Sequence, residues 1–329
     1  MKTLFLILSL AGLAGLPLAG QSLPRREANP IPPQVETMYT KGLRFLSRAQ
    51  LNDGSWEGRY SAEPGVVALC TLAFLAHGED PNHGPYAQNI SRSLNYLLAN
   101  QNENNGYIGN SMYNHGFATL ALAESYGVVN DPRLAPALSQ AVDLILSAQK
   151  VNGLEAWRYT PESHDADTTV TGCQLVALLA ARNAGLPVPE EAIDKGLAYL
   201  ARCRSNQGGI GYTSSSGEKP TLTAVGVTSF SLAKRKDGKG FASSVNYLTN
   251  HLNYRDRHYP FYFEYYMSQA LFQADSELWE EWNAKNIRYM GASQNPDGSW
   301  SDSKGQAYAT SCALLSLALN YRFLPIYEK

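Results

Sequence analysis

Between Trp157 and Gln174 the chain reads WRYTPESHDADTTVTGCQ, where an aromatic pair, a histidine, two close carboxylates and a run of threonines precede an apolar stretch. Asp165 and Asp167 are spaced i, i+2 and are followed by Thr168, Thr169 and Thr171. The segment from Leu175 to Ala180 then reads as a buried helix. Asp and Thr ahead of an apolar run are helix-start residues, and the positive end of the helix dipole favours a charged carboxylate there. That reading makes Asp167 an N-cap, ionised at neutral pH. The same residues admit another chemistry, because a carboxylic acid kept neutral in a dry pocket can protonate an alkene. Both readings stay open at the level of the residues.

The elements that would position this stretch recur. Successive amphipathic segments end FLSRAQ at Gln50, YLLANQ at Gln101, LILSAQ at Gln149, YLARCR at Arg204, YLTNHL at Leu252 and YMGASQ at Gln294. Their spacings of 51, 48, 55, 48 and 42 residues mark an array of one supersecondary unit. Each unit has a helix with one charged face, such as 39–50 or 190–204. A Gly-rich turn follows (NDGSW, NNGYIG, VNGLEAW, NQGGIGY, NPDGSW), the fifth being irregular over residues 254–258. A more uniformly apolar helix completes the unit, at 66–76, 117–125, 170–183, 223–233, 262–272 and 308–320. A helix apolar all round is buried on both sides, whereas one with a polar face lies outside. Six of each, alternating, predict a closed double ring of helices with inner-helix starts around one mouth.

That mouth collects the candidate site. Asp167 and Asp165 are the candidate acids, and Trp157, Tyr159, His164, Thr168, Tyr262, Glu264 and Tyr266 the candidate ligand-binding set. Tyr107, Tyr113, His115 and Tyr212 share the same end. Aromatic walls suit isoprenoid chains and carbocations, and equally sugars and peptides. Glu264, set in the run YPFYFEYY, must be satisfied by tyrosine hydroxyls or carry a raised pKa.

Composition bounds the rest. The 329 residues are 44% hydrophobic and 17% charged, with 27 Lys plus Arg against 29 Asp plus Glu. That is a globular balance with no basic excess for nucleic acid. Residues 1–20 open with Lys2, run apolar from Leu4 to Leu16 and end in small residues, which reads as a secretory signal peptide. Residues 21–34 carry four prolines and read as an extended arm, leaving 35–329 for the repeats. An exported protein, periplasmic or extracellular, follows, with no later segment fit to span a membrane. The six histidines fall in different repeats without zinc spacing, so neither metal nor cofactor is expected. Cys70, Cys173 and Cys312 share one register of the inner helices, as small packed side chains would, while Cys203 ends an outer helix.

The turns QLNDGSW from Gln50 and QNPDGSW from Gln294 both fit Q-x3-G-x-W. This resembles the QW motif of squalene and related terpene cyclases, and the other turns resemble the weaker versions in prenyltransferase β subunits. The resemblance spans about residues 35–327 and implies an all-α fold, a single α/α toroid of about six hairpins. The string WRYTP…DADTTVTGCQLVALLAARNAGLPVPEEAIDKGLAYL, with TAVG and the ending YRFLPIY, resembles exported squalene-cyclase-repeat proteins of planctomycetes. By resemblance to the DxDD acid motif of class II terpene cyclases, Asp167 holds the proton-donor position and Thr168 replaces the last Asp. The expected functions are therefore an exported toroid gripping an apolar, glycan or peptide ligand, or an isoprenoid-processing enzyme with Asp167 as general acid. Trp56 and Trp300 are expected to be structural.

Overall fold

The computed structural model describes residues 31–327; the signal-peptide reading of 1–20, and the arm up to residue 30, lie outside the described residues. Pro33, expected in the extended arm, is instead the first residue of a helix. Proline is well placed there, because its fixed φ suits a helix and its missing N–H would have been unpaired anyway. Among the described residues there are twelve α-helices and no β-strand. Six have one buried face: α1 (Pro33–Ala49), α3 (Ala87–Ala99), α5 (Leu134–Val151), α7 (Glu190–Arg202), α9 (Lys239–Thr249) and α11 (Ser276–Ser293). The intervening six are buried nearly all round: α2 (Pro64–Leu75), α4 (Met112–Ser125), α6 (Thr168–Asn183), α8 (Pro220–Leu232), α10 (Pro260–Ala274) and α12 (Gln306–Leu317).

The pattern explains the partition. In α1 the buried residues Val35, Met38, Tyr39, Leu43 and Leu46 follow the helical period, so one stripe faces inward. Every residue of α2 is buried. Such helices need neighbours on every side. Contacts run α2–α4–α6–α8–α10–α12 and back from α12 to α2, closing an inner ring. The outer helices α3, α5, α7, α9 and α11 each pack on the inner helix before them, and α1 packs on α12 and α11. The fold is an α/α toroid.

The turns lock each hairpin to the next. Gln50 Nε2 donates to Gly54 O of its own turn at 3.2 Å and to Asn89 O of α3 at 3.0 Å. Gln294 does the same to Gly298 O and to Met38 O of α1, both at 2.9 Å, which ties the last turn to the first helix. Gly54 and Gly298 have φ of +96° and +94°, and a Cβ there would stand 2.2 and 2.4 Å from the carbonyl oxygens of Arg92 and Lys41. Only glycine meets both demands. The indole N–H groups of Trp56, Trp157 and Trp300 donate to Leu46 O, Ile145 O and Met290 O at 2.9, 2.8 and 3.0 Å. These carbonyls lie towards the C-terminal ends of the preceding outer helices, and those of Leu46 and Met290 also accept the amides of Gln50 and Gln294.

The far end of the ring is covered. After α12 the chain turns back, burying Leu324, Ile326 and Tyr327. Ile326 N donates to Glu124 Oε2 near the end of α4, Gln273 Nε2 near the end of α10 donates to Tyr327 O, and the turn Pro325–Tyr327 packs on α6.

The fifth hairpin lacks the glycine turn and sets a buried carboxyl beneath its loop instead. Glu264, fully buried, lies 3.1 Å from Arg255 Nε of the preceding loop, yet neither of its oxygens accepts a hydrogen bond. It is the fifth residue of α10, as Thr310 is of α12, and Thr310 Oγ1 accepts the amide of Trp300 at 2.9 Å. Burial raises the Glu264 pKa to about 8 even though Arg255 opposes it.

Trp157→Ala should lower unfolding free energy by about 3–5 kcal/mol, as should Trp56→Ala and Trp300→Ala. A chemical-denaturation midpoint unmoved by Trp157→Ala would refute this shared role. Glu264 binds a proton more tightly folded than unfolded. Its contribution to stability is therefore complete below about pH 4.5 and lost as pH rises through about 8. Melting temperatures measured between pH 5 and 9 should fall with pH, and Glu264→Gln should flatten the slope.

Candidate functional site

The first turns of all six inner helices surround a cavity of about 890 Å³. Its wall takes Val66 from α2, Tyr113 and Phe117 from α4, Thr169 from α6, Leu222 from α8, Tyr262 from α10 and Tyr308 from α12. Loops add Tyr60, Tyr159, Tyr212 and Tyr259, so seven tyrosines line it. Tyr60, Tyr159 and Tyr259 are 38, 43 and 50% exposed and form a rim, whereas Tyr262 is buried at the floor against Tyr266, with ring centroids 4.7 Å apart. A tyrosine ring offers an apolar face and a polar tip, so this lining stacks on flat apolar surfaces and bonds to hydroxyls.

Asp167 caps α6 from behind this wall. Its Oδ1 accepts the amides of Thr169 and Val170 at 2.8 and 2.9 Å and the Thr169 hydroxyl at 2.6 Å. Oδ2 lies 3.7 Å from Arg158 Nε and accepts no hydrogen bond. The side chain has no solvent exposure and is not among the residues lining the cavity. The Tyr113 hydroxyl donates to Thr169 Oγ1, so Tyr113, Thr169 and Asp167 form a relay from cavity to cap. Helix-terminus electrostatics alone would hold this carboxyl low. Instead its pKa is raised, because burial outweighs the bonds from Thr169 and Val170 and the charge of Arg158.

The other expected residues separate. Tyr159 lines the cavity rim, bonds through its hydroxyl to that of Tyr212, and carries Arg158 over its ring at 4.9 Å. Tyr262 also lines the cavity. Trp157 does not: it is a buried turn residue equivalent to Trp56 and Trp300. Thr168 is buried and ties two loops, donating through Oγ1 to Gly211 O at 2.7 Å and through its amide to Tyr212 O at 2.9 Å. His164 and Asp165 are exposed on the loop outside the cavity, Asp165 lying 3.6 Å from Arg158 Nε. Glu264 serves the Arg255 loop and Tyr266 lies beneath the floor. His115 also turns out to be internal: Nδ1 accepts Ile108 N at 3.1 Å and Nε2 donates to Ala141 O at 3.0 Å. Burial pushes its pKa down to about 4.

Several wall residues were not in the sequence-based set, notably Glu63, Asn114, Lys219, Asp256, Tyr259 and Lys304. Asp256 braces the loop that leads into α10: Oδ1 accepts the amides of His258 and Tyr259 at 2.9 and 3.0 Å, and Oδ2 accepts the Thr221 hydroxyl at 2.6 Å. Burial would raise its pKa, but these bonds win and it is lowered. The usable signal lay in the repeat. The second or third residue of each inner helix faces the cavity, as Tyr113, Thr169, Tyr262 and Tyr308 do.

The four cysteines are buried free thiols, and among the described residues no cluster of His, Cys, Asp and Glu is arranged to hold a metal ion. No described helix is long and apolar enough to cross a membrane.

Comparison with known proteins agrees with this architecture. The type II terpene cyclase MstE from Scytonema matches at 15% identity, covering 89% of this chain and 99% of that chain with a TM-score of 0.59. A variant of that cyclase in complex with geranylgeranyl dihydroxybenzoate matches at 14% identity, 89% and 98% coverage and a TM-score of 0.60. An inactive variant of the GH76A α-1,6-mannanase of Salegentibacter, in complex with α-1,6-mannotetrose, matches at 9% identity, 86% and 98% coverage and a TM-score of 0.65. At such identities the likeness is one of fold. No curated protein matches the sequence. The profile of a domain of unknown function, DUF6288, matches residues 39–272, more than half of the chain, and the protein belongs to that family.

Proposed function

We propose that this chain is an exported toroid that binds a saccharide in its tyrosine-lined cavity. The observation that carries the reading is the lining itself: seven tyrosines interleaved with Asn, Ser, Thr, Lys and carboxylate side chains around an open mouth. Sugars present flat C–H faces and many hydroxyls, and a wall of stacked rings with hydrogen-bonding tips complements both. The three exposed rim tyrosines extend that surface outward. Export is supported by the signal-peptide pattern of residues 1–20, with the periplasm or the outside as destination. A toroid neighbour bound to a mannotetrose is compatible with a glycan in such a cavity.

A second reading, isoprenoid processing with Asp167 as general acid, draws on one observation, the relay from Asp167 through Thr169 to Tyr113 on the cavity wall. We rank it lower because Asp167 does not reach the cavity and Arg158 favours its charged form.

Titration calorimetry against saccharides selected on a glycan array tests the ranking. Tyr159→Ala and Tyr259→Ala should each weaken binding about tenfold, the equivalent of about 1.4 kcal/mol. Asp167→Asn should leave the affinity unchanged. Cyclisation of a geranylgeranyl substrate by the wild type, abolished in Asp167→Asn, would reverse the order of the two readings.

A further inference from the structure

Beside the main cavity lies a smaller one of about 390 Å³, walled by Arg59, Asn100, Gly109 and Asn110. The two share Glu63 and Asn110 as lining residues, so they are adjoining chambers. Their linings differ. The large chamber is plated with tyrosine, whereas the small one offers a guanidinium, two amides and the backbone of a glycine, without an aromatic ring.

Glu63 stands at the junction in an unusual posture. It occupies the N-cap position of α2, where a short acceptor side chain such as Asp or Ser would accept the helix's own orphan amides. Ser111 and Asp167 do so at α4 and α6. Glu63 makes no such bond. Its Oε2 instead accepts from Asn114 Nδ2 of α4 at 2.5 Å. Asn114 is itself fixed, because its Oδ1 accepts Gly65 N at 3.0 Å and its Nδ2 also donates to Asn110 Oδ1 at 2.8 Å. The other cavity carboxylate, Asp256, is occupied by its own loop and helix start. Glu63 thus makes no bond to its own helix and is held by a neighbouring helix where the linings of the two chambers meet.

Resting on the saccharide reading above, we infer that the site takes an oligosaccharide spanning both chambers, with Glu63 accepting hydrogen bonds from sugar hydroxyls at the junction. The sugar that stacks on the rim tyrosines occupies the large chamber. A following unit enters the small one and meets Arg59 and the Asn100 and Asn110 amides. The carboxylate supplies the strong acceptor that a run of hydroxyls requires, and its fixed orientation spares the cost of ordering it on binding. A single sugar fills the tyrosine chamber only and does not reach Arg59 or Asn100.

The test uses the mature protein and an array of mono-, di-, tri- and tetrasaccharides of glucose, mannose and galactose and of their uronic acids. Wild type should hold tri- and tetrasaccharides of its preferred sugar at least about tenfold more tightly than the monosaccharide. Glu63→Gln and, separately, Arg59→Ala should bring the tetrasaccharide down towards the monosaccharide affinity. Arg59→Ala should leave monosaccharide binding unchanged, since Arg59 lines the small chamber and not the large one. Tyr259→Ala, in contrast, should weaken short and long sugars alike. Equal affinity for mono- and tetrasaccharide, or a Glu63→Gln variant that holds the tetrasaccharide as wild type does, overturns the two-chamber inference and leaves the saccharide reading standing. An array blank for every sugar overturns both.

Discussion

A helix that is apolar on all sides has no face to give to water, and six of them in one chain can be satisfied only by one another. That constraint closes the inner ring. An open row would leave α2 and α12 each with a bare flank, and burying these flanks against each other is worth more than any single polar contact in the molecule. Closure joins residues at opposite ends of the chain, so the seam needs register as well as attraction. Gln294 supplies it, bonding its own turn and the α1 backbone with one amide group. Once the ring is closed, the inner helices meet solvent only at its two ends. The tail through Tyr327 covers one of them.

The open end is where helix N-termini meet, and each brings amides without intrahelical partners. The chain meets this demand in two ways. Proline starts α2, α8 and α10, removing one donor each, and Ser111 and Asp167 cap α4 and α6. Acidic and hydroxylic residues at this mouth are therefore structural by default. A functional role has to be argued from departure: a carboxylate at a cap position that makes no bond to its own helix, or a tyrosine in a helix start that contributes nothing to the helix. Glu63 and Tyr113 are of that kind.

The ring was legible in the sequence because its causes are local and repeated. The Gln of the turns bonds its own turn and the neighbouring hairpin, and the Trp bonds the helix before it, so their spacing survives as a period. The inner helices were read as starting two to five residues late, at 66, 117 and 308 rather than at Pro64, Met112 and Gln306. The cause is that the first turns carry the polar and aromatic residues of the cavity, which break the apolar pattern. The site was less legible for the same reason. Trp157 looked like a ligand platform because it precedes the acidic stretch, but its repeat position makes it the partner of Trp56 and Trp300. Glu264 stood out among aromatics, correctly as a carboxyl of raised pKa, yet it serves the loop of Arg255. Glu63 gave no signal, since its partner Asn114 lies one repeat away and only the closed ring brings them together.

The polarity of the Asp167 relay bears on which chemistry the cavity can support. An ionised carboxylate only accepts, so the Thr169 hydroxyl must give its proton to Asp167 and take that of Tyr113. The Tyr113 oxygen, having spent its proton inward, is left with lone pairs for the cavity. Such a wall accepts hydrogen bonds from a hydroxylated ligand. Delivering a proton outward would require the reverse order, with Asp167 protonated and both hydroxyls turned around. Burial pushes towards that state, against the two backbone amides and the Arg158 guanidinium, which favour the anion. The amides cannot be withdrawn without uncapping α6, and α6 packs against α4 and α8 within the ring. The amide bonds of Asp167, and with them the relay to Tyr113, are therefore coupled to the closure of the toroid.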